Sequence, residues 1–389
     1  MSELAIVNAR VVTMTGAPIP LGTVRARGGA IESVEAQAAR LEPRGGEVDA
    51  RGRVLMPAFV DCHTHAMWAG DRLDEFDLRL RGATYLEILK SGGGIMSTVR
   101  AVRAASEGEL AANLLERLRV MASEGTLTVE VKSGYGLTTR DELKMLRAIA
   151  RAAEAARGFG VTVFPTALIA HAIDPEQEDF VERTIGETLD AVHAEFPGVT
   201  IDAYCEEGAW PLEACRRLFE RAMELGHPCR AHADQFNALG MTSWAAERGF
   251  VSVDHLEATG DDELAALARS GTFGVMLPCS GFQVDDRYAD GRAFVDAGGS
   301  PVIATNCNPG SAPTSSMPFA AALATRKLGL TVDEALAACT VNAARVLGLE
   351  DRGAIAPGKR ADLILLRHTD ERMLAYEFGG DPVASVFHA

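Results

Sequence analysis

Basic residues are scarce in this chain. Lys and Arg total 38 against 54 Asp and Glu, a formal net charge of −16 over 389 residues. That imbalance argues against binding to phosphate backbones or anionic lipid, so neither a nucleic acid nor a membrane is expected as a partner. A small anionic substrate is still allowed, because a pocket needs only one or two local cations. Cysteine is sparse and unpatterned. Cys62, Cys205, Cys215, Cys229, Cys279, Cys307 and Cys339 are odd in number and contain no CxxC pair. This excludes a disulfide framework and predicts reduced thiols in a cytoplasmic protein. No apolar run reaches the roughly 20 residues of a transmembrane helix. Met1-Ser2-Glu3-Leu4 lacks the basic start of a signal peptide. What remains is an ordinary globular composition, 47% hydrophobic and 24% charged. The length suits one large α/β barrel with additions.

The two ends of the chain read alike. Leu4-Ala5-Ile6-Val7 is an apolar run, and Thr23-Val24-Arg25-Ala26-Arg27 alternates before Gly28-Gly29. Near the other end, the turn-rich Gly353–Lys359 precedes the strand-like Ala361–Leu366. These ends predict a small β-sandwich domain built from both termini, residues 1–55 plus 356–389. The middle, 56–355, alternates strand with helix. Eight apolar, β-leaning runs fall at 54–60, 126–132, 161–168, 200–205, 228–232, 251–254, 272–277 and 301–305. Ser106 with Glu109 makes a capping box before a helical pattern that Gly125 stops, and Thr139 with Glu142 repeats the device. Eight strands alternating with helices predict a closed (β/α)8 barrel. The open doubly wound sheet is disfavoured because no strand-associated GxGxxG is present.

Barrel enzymes place their chemistry at the C-terminal strand ends. The first run ends in Asp61-Cys62-His63-Thr64-His65, and two His at i and i+2 on a strand point to one side. Such a pair offers two corners of a metal site. The fifth run ends in His232-Ala233-Asp234-Gln235, the sixth in Asp254-His255-Leu256-Glu257, and the eighth in Thr305-Asn306-Cys307-Asn308-Pro309-Gly310-Ser311. Five of the nine histidines, His63, His65, His171, His232 and His255, thus sit at predicted strand ends. His193, His227, His368 and His388 do not, and are read as surface or structural.

With these segments in place, the chain resembles the amidohydrolase superfamily and, within it, the imidazolonepropionase family. The resemblance rests on Met56–His65, Ala69-Gly70-Asp71-Arg72, Ser91-Gly92-Gly93-Gly94-Ile95, Val129–Leu137, His232–Gln235, Ser252–Glu257 and Asn308–Ser311. It covers nearly the whole length. It implies one Zn(II) or Fe(III) ion per chain held by His63, His65, His232 and the eighth-strand residue. It also implies a homodimer and a substrate pocket of Arg72, Tyr135, His171, Gln235, Asn308, Gly310 and Ser311. The implied reaction is hydrolytic ring opening of 4-imidazolone-5-propanoate to N-formimidoyl-L-glutamate in histidine degradation. Residue chemistry agrees. Arg72 offers a fork for the propanoate, and Tyr135 and His171 can donate to ligand oxygens. His255 is placed to bond the attacking water or the developing oxyanion, and Gln235 to hold the ring.

The family places an aspartate where this chain has Asn306. Asparagine can offer an amide oxygen to a metal but cannot accept a proton at neutral pH, so impaired turnover is expected. Two rivals stay open. One is a related cyclic amide or amidine hydrolase or deaminase. Two-metal relatives carry a lysine at the fourth strand end, where this chain has Tyr204-Cys205-Glu206-Glu207, and Lys132 lies on the second strand instead. Related deaminases carry Glu at the position of Gln235. The other rival is a catalytically silent barrel that only binds the acid.

Overall fold

The computed structural model describes residues 3–83 and 93–389. Ser91 and Gly92 of the Ser91–Ile95 motif lie outside the described residues. Eight parallel strands form one sheet: Phe59–Asp61, Thr126–Lys132, Thr162–Ala170, Thr200–Cys205, Cys229–Ala233, Ser252–His255, Phe273–Met276 and Val302–Ile303. Each pairs in parallel with the next. Closure comes just past the ends of the first and last strands. There Asn306 N donates to His63 O at 3.1 Å and His65 N donates to Asn306 O at 3.0 Å. Helices lie between most strands, so the architecture is a (β/α)8 barrel. Closure therefore brings the eighth-strand residue beside the paired histidines, although they are over 240 positions apart in sequence.

The run 54–60 is not one strand. Val54–Pro57 joins a second, seven-stranded sheet with Glu3–Val11, Ile19–Arg27, Ala30–Ala36, Val48–Asp49, Leu363–Leu366 and Val383–Phe387. Only Phe59–Asp61 enters the barrel. The cause is in the hydrogen bonds on either side of Ala58. Val54–Leu55 pairs with Arg10–Val11, whereas Phe59 N donates to Gly125 O at the barrel. Period-two alternation then explains how this sheet is buried on both faces. Leu55, Leu363 and Leu365 enter its own small core with Ile6, Val11 and Val24. Val54, Met56, Ile364 and Leu366 face the other way and join the barrel core.

The Ser106–Glu109 capping box forms as expected and starts the helix Glu107–Ser123. The second device is shifted. Thr138, not Thr139, caps the helix Thr139–Ala156, accepting from Asp141 N. Glu142 is therefore free of capping duty and buried, with consequences for the site described below. His193 and His227 also find a structural partner in each other, with Nδ1 and Nε2 3.0 Å apart.

Candidate metal centre and ligand pocket

One ring nitrogen from each of His63, His65 and His232 lies within 4.8 Å of the others, and all three side chains are buried. Burial, then the neighbouring cations and imidazoles, holds the His63 and His65 pKa values well below the ordinary histidine range. Burial also lowers that of His232, against the pull of Asp202. Neutral imidazoles are what a metal requires. His63 Nδ1 lies 2.6 Å from Asp254 Oδ2, and His232 Nδ1 lies 3.1 Å from Asp202 Oδ1. Each carboxylate accepts a hydrogen bond from Nδ1–H, which leaves Nε2 as a bare lone pair, the usual arrangement behind a metal-ligating histidine. Among the described residues, the buried His63 Nε2 has no partner, and neither has Asn306 Oδ1. His232 Nε2 faces His65 Nε2 at 3.1 Å. Orphaned buried acceptors are costly, and a cation satisfies them. The residues present therefore fit a metal ion, with Asn306 offering its amide oxygen. Ser311 sets that orientation, since Asn306 Nδ2 donates to Ser311 Oγ at 3.0 Å. Asn306 and His255 both take left-handed backbone, φ 69° and 95°. That conformation costs about 1–2 kcal/mol for residues other than glycine and is typical of functional strand ends.

Beneath the histidines lies a buried ionic lattice. Lys132 Nζ donates to Glu130 and Asp202, each at 2.8 Å. Arg230 donates to Asp254 Oδ2 at 2.7 Å, to Ser252 Oγ at 2.8 Å and to Cys62 O at 2.7 Å. Burial alone would raise the Asp202 pKa, but His232, Lys132 and Arg230 pull it well below the carboxylate range. The lattice thus keeps the Asp202 carboxylate ionised behind His232. Strand alternation carried the missed signal. Glu130 and Lys132, Arg230 and His232, and Ser252 and Asp254 are i, i+2 pairs whose second member lies nearer the mouth. Lys132 is thus a lattice cation rather than a misplaced metal ligand.

Around the cluster lie the residues expected to meet a ligand. His171 stacks on His65, centroids 4.9 Å apart, and its ring lies 5.1 Å from that of Tyr135. Asn308 hydrogen-bonds the Tyr135 hydroxyl and Arg72 lies nearby, while burial raises the Tyr135 pKa. A Cβ on Gly310 would sit 3.3 Å from Arg72 Nη1, so this glycine admits the guanidinium. Asn308 Oδ1 accepts from Gly310 N at 2.9 Å and Ser311 N at 3.3 Å, which shapes the eighth-strand loop. Tyr204 Oη donates to Gln235 Oε1 at 2.8 Å and Gln235 Nε2 donates to Ser280 Oγ at 3.3 Å, which leaves a second Nε2 proton for a ligand. His255 Nδ1 lies 3.1 Å from Glu257 Oε1.

Two expectations need correction. Arg72 is not free, because its Nη2 is already bonded to Glu75, which is itself buried. His171 is not a ready donor. Its Nδ1 lies 3.0 Å from Gly134 O, so the ring proton is committed to the backbone and Nε2 is an acceptor. Burial, then His232, pushes its pKa to about 3. Reasoning from sequence missed Asp202, Arg230, Glu75 and Glu142, whose partners lie on other elements. A separate cavity of about 710 Å³ opens at the opposite, N-terminal mouth of the barrel, lined in part by Phe164, Phe196, Phe250 and Phe273. None of the five strand-end histidines lines it.

The geometry has close parallels. A model of the amidohydrolase family matches residues 81–375. The chain is similar to the imidazolonepropionase of Herpetosiphon aurantiacus, 46% identical over 87% of this chain and 82% of that protein. It is 43% identical to the imidazolonepropionase of Symbiobacterium thermophilum, over 99% of this chain and 95% of the relative. The imidazolonepropionase of Deinococcus radiodurans is 45% identical, over 93% and 90%. Among solved structures, 5-methylcytosine deaminase from Klebsiella pneumoniae superposes with a TM-score of 0.79. That match covers 99% of this chain and 96% of the other at 18% identity, so it speaks to the fold alone. With identity above 40% across almost its full length and the histidine cluster in place, the chain belongs to the imidazolonepropionase family of amidohydrolases.

Proposed function

We propose that this chain hydrolyses 4-imidazolone-5-propanoate to N-formimidoyl-L-glutamate, a step of histidine degradation. The observation that carries the reading is the convergence of three neutral imidazoles and the unpartnered Asn306 Oδ1 beside the Arg72–Tyr135–Asn308 group. His63, His65, His232 and Asn306 would hold the metal, Zn(II) or Fe(III). When bound, such an ion supplies a Lewis acid and lowers the pKa of water toward about 7. Arg72, Tyr135 and Asn308 bind the propanoate, and Arg72 turns part of its fork from Glu75 to the ligand. Gln235 Nε2 donates to the ring, and His171 Nε2 accepts a ring N–H. Hydrolysis adds the water oxygen to the ring carbonyl carbon and a proton to the departing ring nitrogen. His255, steadied by Glu257, takes a proton at Nε2 and stabilises the oxyanion. Asn306 cannot carry the proton that a carboxylate there would.

The same reading makes the protein a cytoplasmic homodimer. Seven buried free cysteines support a reducing compartment, and light scattering of the purified chain tests the dimer. To test the reaction, the metal-loaded chain is given 4-imidazolone-5-propanoate, and N-formimidoyl-L-glutamate is followed by mass spectrometry. Slow formation of that product is expected, and absence of both turnover and product binding overturns the proposal. Asn306 itself favours a second reading, a barrel that holds the acid without opening it. Binding without turnover, unchanged in Asn306→Asp, would select that reading.

A further inference from the structure

We propose that the helix Ile95–Ala104 is a strut that fixes the separation of Arg72 from the Tyr135 loop. Arg103 at its far end is then the positioning residue through which the site selects the length of its ligand's acid arm. The inference rests on the reading that Arg72 and Tyr135 take the ligand carboxylate.

The strut is anchored at both ends. At its start, Gly94 N donates to Glu75 Oε1 at 3.0 Å, and the other oxygen of Glu75 receives Arg72 Nη2. In the first turn, Thr98 Oγ1 lies 3.4 Å from Arg72 Nη1. At its end, Arg103 Nε donates to Gly136 O at 2.8 Å and Arg103 Nη2 to Leu137 O at 3.1 Å. Asp174 braces the same guanidinium at 2.7 Å. Lys144 donates to the carbonyls of Val102 and Arg103, and Val99 and Val102 are fully buried. Ten residues of helix span about 15 Å and behave as one rigid piece. A shift at one end is therefore transmitted to the other.

The Tyr135 loop is held entirely from outside. Arg103 grips its carbonyls from one side, and Gln177 Nε2 adds a bond to Leu137 O at 2.8 Å. From the other side, the buried Glu142 carboxylate accepts from Gly134 N, Gly136 N and Leu137 N, at 3.0, 2.7 and 2.9 Å. The flanking glycines make this grip possible. A Cβ on Gly136 would lie 2.5 Å from Glu142 N, and one on Gly134 2.9 Å from Leu168 O. Tyr135 is thereby set relative to Arg72 through Arg103 and relative to His171 through Gly134 O.

The ring of the ligand is located by the histidine cluster and Gln235, and its carboxylate by Arg72 and Tyr135. Two anchors at a set separation read the number of methylenes between them. Among the described contacts, Arg103 is the side chain that joins the Arg72 side to the loop carbonyls. Its side chain is 24% exposed, so replacing it does not open the core.

The test uses the full chain, metal-loaded, with two stable probes, 4-imidazolepropanoate and 4-imidazoleacetate, measured by calorimetry. The unaltered chain should prefer the propanoate by about 10–200-fold, the range for one methylene in a shaped pocket. Arg103→Met should lower that ratio by about tenfold or more, mainly through weaker propanoate binding, with metal content unchanged. Arg103→Lys, which keeps the charge but loses the two-pronged grip, should give an intermediate ratio and serves if the methionine variant does not fold. An unchanged ratio in both variants overturns the inference, even if both affinities fall together. Binding of neither probe by the unaltered chain overturns the carboxylate reading and this inference with it.

Discussion

Replacing Asn306 by aspartate addresses the departure that bears most directly on turnover, an amide where the family resemblance implies an acid. The substitution is close to isosteric. Ser311 now accepts from Asn306 Nδ2, and its hydroxyl can rotate to donate to a carboxylate oxygen instead. The backbone that closes the barrel, Asn306 N to His63 O and His65 N to Asn306 O, is untouched. Two things change. The buried oxygen that now lacks a partner becomes part of a charged ligand, and the site gains a proton acceptor. A positioned general base contributes about 10²–10⁴-fold, so Asn306→Asp should raise the rate by at least about 10²-fold, or roughly 2.7 kcal/mol in barrier. Arg72, Tyr135 and Gln235 are unchanged, so the gain belongs in kcat rather than KM. The assay is the loss of 4-imidazolone-5-propanoate absorbance, with metal content determined on the same samples. Equal rates at equal metal content would refute the reasoning and leave His255 as the base.

Three further outcomes follow from the geometry. Arg72→Met removes one partner of the Arg72–Glu75 pair and the fork for the ligand. Product affinity should fall by about 2–4 kcal/mol by calorimetry with metal content unchanged, and unaltered affinity would remove Arg72 from the pocket. His232→Ala deletes one of the three clustered imidazoles while leaving the packed barrel beneath it. Elemental analysis should find most of the metal gone from a protein with a native circular dichroism spectrum, and a full equivalent retained would contradict the ligand assignment. Arg10 holds Glu371 through two bonds of 2.6 Å, chiefly lowering the Glu371 pKa below 4.5. A depressed carboxylate stabilises above its unfolded pKa and loses that contribution as pH falls through the folded value. Glu371→Gln should therefore cost about 1.5–3 kcal/mol at pH 7. The difference should shrink as the pH of the melts drops below 4.5, and a pH-independent loss would show that the ion pair is not its source.

The sequence by itself determined the barrel architecture and the three histidines that cluster where a metal could be held. Both are written in local patterns. Strand alternation, the Ser106–Glu109 box and the strand-end His63, His65, His232 and His255 need no knowledge of distant contacts. Only the tertiary structure decided which neighbours those residues have. Glu142 reads in sequence as a capping residue. Moving the cap to Thr138 sends its carboxylate to three loop amides instead, a choice set by the close approach of Gly136 to the helix. His171 reads as a donor until Gly134 O claims its proton. Arg72 reads as a free cation until Glu75 is placed beside it. Asp202 and Asp254 lie on different strands from the histidines they orient, and Lys132 and Arg230 compensate their charge across the barrel. Hydrogen-bond partnership depends on distance in space, and closing eight strands into a barrel joins positions such as Thr64 and Asn306 that no local pattern connects.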